Sequence, residues 1–251
     1  MNNRRNFIRN TAMGAVTAMC IPEIVSAALA TENVKKQNLH PNDVVLFQGD
    51  SITDWGRDKS NNTPNTSSSL GSGYVLATAS GLLREYAGLN LQVYNKGISG
   101  NKVFQLIDRW DADTLAIKPN VLSIMVGVND YWHTVTSGYK GTIETYKNDY
   151  IKLLTLTKQA LPNVRLIIGE PFAIKGVKAV DDSWYPAFDL YRQAARDVAG
   201  QFGASFIPYQ AIFDKAQEQA PAAYWSIDGV HPTVAGTGLM ADAWQKVVKG
   251  W

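Results

Sequence analysis

A short motif near the carboxyl end of the chain could supply a general base. Asp228 precedes His231 by three residues across a glycine turn, so its carboxylate can accept the imidazole Nδ1–H. That bond fixes the tautomer and leaves Nε2 free to take a proton from a hydroxyl nucleophile. The chain has three histidines, and the other two, His40 and His133, lie in a polar segment and beside Asn129. His231 is therefore the best candidate base, although the motif alone could also be an exposed histidine at the start of a helix.

Ser51 is the candidate nucleophile. It lies in Gln48-Gly49-Asp50-Ser51-Ile52-Thr53-Asp54, directly after an apolar run. A tight turn from strand to helix would lift its hydroxyl above the edge of a sheet, and its own backbone N–H near the helix start could stabilise an oxyanion. Considered alone, the same serine could also be a helix N-cap.

Two further segments offer hydrogen-bond donors to an oxyanion. In the segment 95–101, Gly97 and Gly100 would let the backbone approach a ligand closely. This segment lacks the Lys-Ser/Thr pair of a phosphate-binding P-loop, and it could be no more than a turn. Asn129, in Gly127-Val128-Asn129-Asp130, could be a turn residue or a neutral amide donor that does not compete for the nucleophile's proton.

The pattern of strands and helices must bring these motifs together. Short apolar runs alternate with longer amphipathic ones, which predicts a mostly parallel sheet with helices on both faces, in one domain. The predicted strands are 44–47, 91–94, 121–126, 166–168 and 204–207, and the predicted helices are 74–86, 103–110, 143–160, 190–199 and 234–248. Ligands of such sheets bind beyond the carboxyl ends of the strands. We expect the four motifs at four strand ends of this sheet, which favours a hydrolytic site over four unrelated turns.

These motifs together resemble a known family. The blocks Gly49-Asp50-Ser51, Gly100, Gly127-x-Asn129-Asp130 and Asp228-x-x-His231 match, in order, those of the SGNH (GDSL-type) hydrolases. The resemblance implies a flavodoxin-like, three-layer α/β/α sandwich with a five-stranded parallel sheet of order 2-1-3-4-5. It also implies ester hydrolysis without a cofactor, by a triad of Ser51, Asp228 and His231 and an oxyanion hole of Ser51, Gly100 and Asn129. We expect no metal site, because the aspartates of these motifs are spread over separate loops without a ligand repeat.

A closer similarity indicates the substrate class. The segments 95–101, 109–110 and 123–130 are similar to the acetylxylan esterase branch, which removes acetyl groups from plant polysaccharides. That branch often has an aromatic residue just before the catalytic aspartate, where this chain has Ile227. We expect an acetylated carbohydrate or a small ester as the substrate, an acyl-enzyme intermediate, and contacts from Asp50, Trp132 and Trp225. The alternatives are a lysophospholipase or thioesterase for longer acyl chains and a carbohydrate-binding protein that only retains the fold.

The amino terminus resembles an export signal. Arg4 and Arg5 precede a modestly apolar stretch that ends in small residues, which is typical of a twin-arginine leader, although the usual Ser or Thr before the arginines is absent. We expect residues 1–30 to be this signal with cleavage near Ala30, residues 31–41 to be a polar tether, and residues 42–251 to be the hydrolase domain in the periplasm or outside the cell. An amphipathic helix packed on the domain is the alternative, and Cys20 leaves lipidation open.

Composition narrows the remaining function classes. The 251 residues carry 24 Lys plus Arg and 22 Asp plus Glu, a formal net charge of +2, which argues against a nucleic-acid-binding surface. A single cysteine cannot form an internal disulfide. No apolar run is long enough to span a membrane, so we expect no membrane association of the mature form. The sequence leaves both a monomer and a homo-oligomer open.

Overall fold

A computed structural model describes residues 20–32 and 34–249. In this part of the chain, five parallel strands form one sheet of order β2-β1-β3-β4-β5. The strands are β1 (Val44–Gly49), β2 (Gln92–Asn95), β3 (Val121–Met125), β4 (Arg165–Gly169) and β5 (Ser205–Ile207). The α-helices are α1 (Ile21–Thr31), α2 (Ser51–Asp54), α3 (Ser67–Leu70), α4 (Tyr74–Glu85), α5 (Val103–Asp108), α6 (Val128–Thr136), α7 (Ile143–Ala160), α8 (Ala187–Gln201), α9 (Tyr209–Ala216), α10 (Ala222–Trp225) and α11 (Val234–Lys249). The predicted fold class and strand order are confirmed.

The direction of the crossovers determines which helices share a face of the sheet. The chain steps from β1 to β2 through α4, then reverses and continues through β3, β4 and β5. Because such connections are right-handed, the reversal puts α4 on one face and α5, α7 and α8 on the other. Helix α11 packs on α4, and α1 packs on α11 and α9, which completes the first face. The reversal between β1 and β3 is the position at which folds of this type bind ligands.

The sheet core is apolar, with a polar side chain placed where it has a partner. All five residues of β3 are buried, including Ser123. Its hydroxyl accepts a hydrogen bond from the indole of Trp244 on α11 at 3.0 Å, so the buried polar atoms satisfy each other. The indole ring also packs against Phe47 of β1, with ring centroids 5.1 Å apart. This contact fixes α11, which begins just after His231, against the strand that ends just before Ser51.

The predicted strands lie within two residues of the observed ones, whereas some helices were missed. Helix α7 was predicted with its observed ends, Ile143 and Ala160. Helices α6 and α9 were not predicted. Each begins within three residues of the end of a strand, where the sequence pattern indicates a loop. Helix α6 matters for the site, since it carries Asn129 and Trp132.

Helix α1 overlaps the predicted export signal at residues 21–30 and packs on the folded domain. Its Ile24, Val25 and Leu29 are at most 1% exposed. The chain then runs to β5, where Gln37 donates from its side-chain amide to Ser205 at 2.8 Å. Cleavage near Ala30 would cut this helix near its end, while residues 1–19 of the predicted signal lie outside the described residues. No helix in the described ranges has the length and apolar character needed to cross a membrane.

Candidate active site

Three side chains from distant parts of the sequence form a continuous hydrogen-bonded chain. The Ser51 hydroxyl lies 2.8 Å from His231 Nε2. On the other side of the ring, His231 Nδ1 lies 2.7 Å from Asp228 Oδ2. Both distances suit a nucleophile, a base and a carboxylate that orients the base.

A tight turn holds the carboxylate and the imidazole in register. Asp228 Oδ1 accepts the backbone N–H of His231 at 2.7 Å and that of Val230 at 2.9 Å. Gly229 adopts φ +96°, and a Cβ there would lie 2.5 Å from a Val180 methyl, so only glycine fits. This turn lies in the loop between α10 and α11, so the prediction that the base motif follows a strand is wrong.

The electrostatics of the pair keep the carboxylate charged. Burial alone would raise the pKa of Asp228. Hydrogen bonds from the imidazole and two backbone N–H groups outweigh this effect and lower the pKa to about 2. The same hydrogen bond to Asp228 raises the pKa of His231, against the opposing effect of burial. The imidazolium that would form when the ring takes a proton is thus stabilised in place.

Ser51 is positioned by the turn between β1 and α2. A Cβ on Gly49 would lie 2.3 Å from the Met125 carbonyl oxygen of β3, so the turn needs glycine for close approach. Asp50 is the N-cap of α2, and its Oδ1 accepts the Ile52 N–H at 3.0 Å. Ser51 is therefore the first residue of the helix rather than its cap, and its hydroxyl is free to bond His231.

The sequence predicts an oxyanion hole beside the Ser51 hydroxyl, made of the N–H groups of Ser51 and Gly100 and the amide of Asn129. Neither the Ser51 N–H nor the Gly100 N–H has an acceptor among the described residues. Gly100 adopts φ +81°, which an L side chain rarely tolerates. Asn129 is 3% exposed, and its amide nitrogen donates to the Asn101 carbonyl at 3.3 Å. That bond ties the amide to the Gly100 loop and leaves its second N–H for another acceptor.

A buried carboxylate anchors the Gly100 loop. Asp54, whose side chain is 1% exposed, accepts the Ser99 N–H at 2.9 Å and the Ser99 hydroxyl at 2.7 Å. Lys59 pairs with the same carboxylate at 2.9 Å. Although burial opposes them, these bonds lower the pKa of Asp54, which therefore remains an acceptor.

Two arginines hold the rest of the loop. Arg57 donates from Nε to the Gly97 carbonyl at 2.8 Å. Arg109 donates from Nε to the Asn101 side chain at 2.9 Å and from Nη1 to the Lys96 carbonyl at 2.8 Å. The loop that carries Gly100 is thus fixed on both sides of that residue.

Ser51 and His231 open into a cavity of about 370 Å³. Trp55, Gly56, Ser72 and Ser99 form its other walls. The His231 ring lies between two indoles, 5.8 Å from Trp55 and 6.4 Å from Trp132 between ring centroids. Within the described ranges, no cluster of three or more His, Cys, Asp or Glu side chains could hold a metal ion.

The predicted substrate contacts are only partly placed at this cavity. Trp132 is half-buried beside His231. Asp50 is 1% exposed, and burial raises its pKa to about 7 despite the bond from Ile52. Trp225 is 5% exposed and its indole donates to the Ala220 carbonyl at 3.1 Å. Both side chains are bonded inside the fold, and their contacts with a substrate stay predictions.

Sequence reasoning missed the residues that support the site. Asp54 and Ser99 lie in the motifs already singled out, but nothing in their spacing shows that they meet across 45 residues. Trp55 lines the cavity in a left-handed conformation with φ +34°. A bulky residue directly after the α2 segment gave no sequence signal for that geometry.

Comparisons with known proteins agree with this arrangement. Residues 47–239 match the GDSL-like Lipase/Acylhydrolase family. An acetylxylan esterase from Geobacillus stearothermophilus is 34% identical over 206 residues, covering 81% of this chain and 93% of that protein. Its solved structure superposes with a TM-score of 0.76 at 31% identity, covering 86% of this chain and 97% of the other. A structure described as a GDSL-like lipase from Parabacteroides merdae superposes with a TM-score of 0.84 at 53% identity, covering 85% and 99%.

Solved variants of the Geobacillus esterase bear on the roles of the side chains. Three of them, described as catalytic mutants, replace a serine, an aspartate and a histidine by alanine. In that protein the aspartate precedes the histidine by three residues, the spacing of Asp228 and His231 here.

Proposed function

We propose that this chain, which belongs to the GDSL-like lipase/acylhydrolase family and is a carboxylic ester hydrolase, removes acetyl groups from an acetylated carbohydrate. The observation that carries the chemistry is the hydrogen-bonded chain from Ser51 through His231 to Asp228. The substrate class is supported by the acetylxylan esterase similarity and by the indoles beside the cavity, on which sugar faces can stack.

In the first half-reaction, Ser51 Oγ attacks the ester carbonyl while His231 Nε2 takes the hydroxyl proton. The new C–O bond gives a tetrahedral oxyanion, which accepts hydrogen bonds from the N–H groups of Ser51 and Gly100 and from the Asn129 amide. The Asp228 carboxylate stabilises the imidazolium. The intermediate collapses, the bond to the sugar oxygen breaks, and that oxygen takes the proton from His231, so the acetyl group remains on Ser51.

In the second half-reaction, water replaces the sugar. His231 takes a proton from the water as it attacks the acetyl carbonyl, and the same three donors hold the second oxyanion. When this intermediate collapses, the bond to Ser51 Oγ breaks and the proton returns to the serine. Acetic acid is released and the triad is restored without a cofactor.

The proposed function is tested by acetate release from acetylated xylan. The wild-type protein should release acetate, and Ser51→Ala should lose nearly all turnover while still binding the deacetylated polysaccharide. Ser72→Ala is the matched control, since Ser72 lines the same cavity but lies outside the triad, and it should keep most activity. Full activity in Ser51→Ala would refute the nucleophile. No acetate release by the wild type, with the polysaccharide still bound, would favour a carbohydrate-binding role.

A chain-length series tests the acyl group. The enzyme should prefer p-nitrophenyl acetate, and its kcat/KM should fall for longer esters. A preference for C8 or longer would instead identify a lysophospholipase or thioesterase.

For localisation, we propose export with leader cleavage before Ile21 rather than near Ala30. The support is that Ile24, Val25 and Leu29 of α1 are buried in the domain, so their loss would expose the α9 and α11 faces that they cover. Sequencing the amino terminus of the exported protein tests this. A mature chain that begins at Thr31 would contradict it.

A further inference from the structure

A second cavity lies at the same edge of the sheet as the active site. Its volume is about 440 Å³, within the range of about 300–1,000 Å³ typical of small-molecule sites. It lies beyond the carboxyl ends of β4 and β5, lined by residues of α8 and α9 and of the segment that follows β4. Nothing in the proposed reaction uses it.

One stretch of backbone separates this cavity from the catalytic turn. The segment 173–180 lines the cavity through Ala173 and Lys175. The same segment donates its Ile174 N–H to the Gly229 carbonyl at 2.7 Å and its Ala179 N–H to the Asp228 carbonyl at 3.0 Å. This segment therefore joins the wall of the second cavity to the turn that carries Asp228 and His231.

The charges that line the cavity balance. Lys175 and Arg192 face Asp189 and Asp214. Arg192 Nη1 lies 2.6 Å from Asp189 Oδ1, which partly neutralises both groups. Both basic groups also have acidic partners outside the lining, because Lys175 pairs with Asp182 at 3.0 Å and Arg192 pairs with Glu170 at 3.1 Å. An anion is therefore disfavoured, and a ligand with hydroxyl groups can bond the carboxylate oxygens that remain.

The polar atoms that remain are suited to hydroxyl groups. Asp214 Oδ1 accepts the Gln210 amide at 2.9 Å, and Asp189 Oδ1 accepts from Arg192. The second oxygen of each carboxylate has no hydrogen-bond partner among the described residues. Gln217 adds an amide at the rim. Acceptors and donors placed this closely can bind neighbouring hydroxyls of a polyol.

The remaining wall is a fixed aromatic ring. The Tyr185 hydroxyl donates to the Ala173 carbonyl at 2.7 Å, which holds the ring at the edge of the cavity. Gln210, whose side chain closes the floor, is held by bonds to the Ala173 N–H and to Asp214. The walls are thus set before any ligand arrives, which reduces the entropy lost on binding.

We propose that this cavity is an accessory subsite for one uncharged sugar residue of the carbohydrate whose acetyl ester lies at Ser51. The inference rests on the proposed function, since that function supplies a chain of linked sugars as the ligand. Asp214 binds hydroxyls of that residue, and the Tyr185 ring, with Lys175 Nζ 5.2 Å from its centroid, forms the wall beside it.

The test uses Asp214→Ala in the full-length protein, because Asp214 is exposed and its loss should not disturb folding. The KM for acetylated xylotetraose should rise about 3- to 10-fold relative to the KM for p-nitrophenyl acetate, as expected for one lost hydrogen bond. Gln217→Ala should act in the same direction. Asp108→Ala is the charge-matched control, since Asp108 is exposed on α5, outside both cavities, and it should leave both KM values unchanged.

Direct binding separates this inference from the proposed function. With Ser51→Ala as the parent, calorimetry with unacetylated xylotetraose should show affinity that Asp214→Ala lowers by the same factor. If acetate is released from acetylated xylotetraose and neither variant shifts the KM ratio, the subsite is refuted and the function stands. If p-nitrophenyl acetate is cleaved and no sugar ester is, the carbohydrate function fails. An absence of xylotetraose binding to Ser51→Ala would overturn the subsite in either case.

Discussion

The Asp54 carboxylate offers a direct test of how the proposed oxyanion hole is held. Asp54→Asn replaces an acceptor with an amide of nearly the same shape. The carboxylate now accepts both the N–H and the hydroxyl of Ser99, at 2.9 and 2.7 Å. Both bonds end on the same oxygen, Oδ2, which Lys59 Nζ also approaches at 2.9 Å. An amide oxygen in that place accepts both bonds without a charge to strengthen them, and the NH₂ group beside it faces the Lys59 ammonium. Ser99 should therefore move, and the neighbouring Gly100 N–H should move with it.

The size of the effect follows from what remains in place. Removing one oxyanion donor completely costs about 10²–10³ in turnover, or about 2.7–4 kcal/mol. Arg57 and Arg109 still hold the loop at Gly97 and Asn101, so the Gly100 donor is displaced rather than lost. We expect kcat to fall about 10- to 100-fold in Asp54→Asn, less than that upper bound. Ser99→Ala keeps the N–H bond to Asp54 and should cost less.

The assay measures kcat and KM for the hydrolysis of p-nitrophenyl acetate. The midpoint of thermal unfolding is measured on the same samples to show that each variant is folded. Because oxyanion donors act in the transition state, the loss should appear in kcat with KM little changed. Lys59→Ala is the control, since it removes the other partner of Asp54 from a half-exposed position and should have little effect on kcat. A normally folded Asp54→Asn with wild-type kcat would refute the reasoning. A rise in KM alone would show that Asp54 supports substrate binding instead.

Three other outcomes are expected. The kcat/KM for a small ester should rise with pH through the pKa of His231, because only the neutral ring can take the serine proton, and Asp228 raises that pKa above its usual value near 6.5. Asp228→Asn should move this rise in kcat/KM to lower pH, because the His231 pKa loses the carboxylate that raises it. It should also lower kcat by up to about 10⁴, because the imidazole tautomer is no longer fixed. If the rise stays at the same pH, it belongs to another group. In urea unfolding, Leu29→Ala should lower the free energy of unfolding by about 2–5 kcal/mol. The control Leu190→Ala, at a position 57% exposed, should change it by no more than about 0.5 kcal/mol. Equal effects would show that α1 does not pack as described.

The strand pattern and the site motifs were predictable because each depends on neighbouring residues. The buried strand β3 is a mostly apolar run with two β-branched residues, Val121 and Ile124, and it could be recognised without a partner. Asp228 and His231 are three residues apart, so their contact follows from one turn. The family resemblance then supplied the sheet order, which the comparisons and the topology bear out.

The sequence did not indicate which side chains of the motifs are buried, because burial depends on tertiary packing. Asp50 follows the pattern of a site residue, yet the close approach of β1 and β3 buries it under the turn. Trp225 lies three residues before Asp228, but its indole points to the Ala220 carbonyl. Asp54 and Ser99 meet only once β1 and β2 are paired. No window of sequence contains that information.

The packing of α1 also has a consequence for the order in which the protein is made. Helix α1 leaves the ribosome before any strand, but the surfaces that bury Leu29 belong to α9 and α11, which are synthesised last. Helix α1 therefore has no surface of α9 or α11 to pack on until nearly all of the described chain has been translated. Its contacts are among the most distant in the sequence, so they form late and at a high entropic cost.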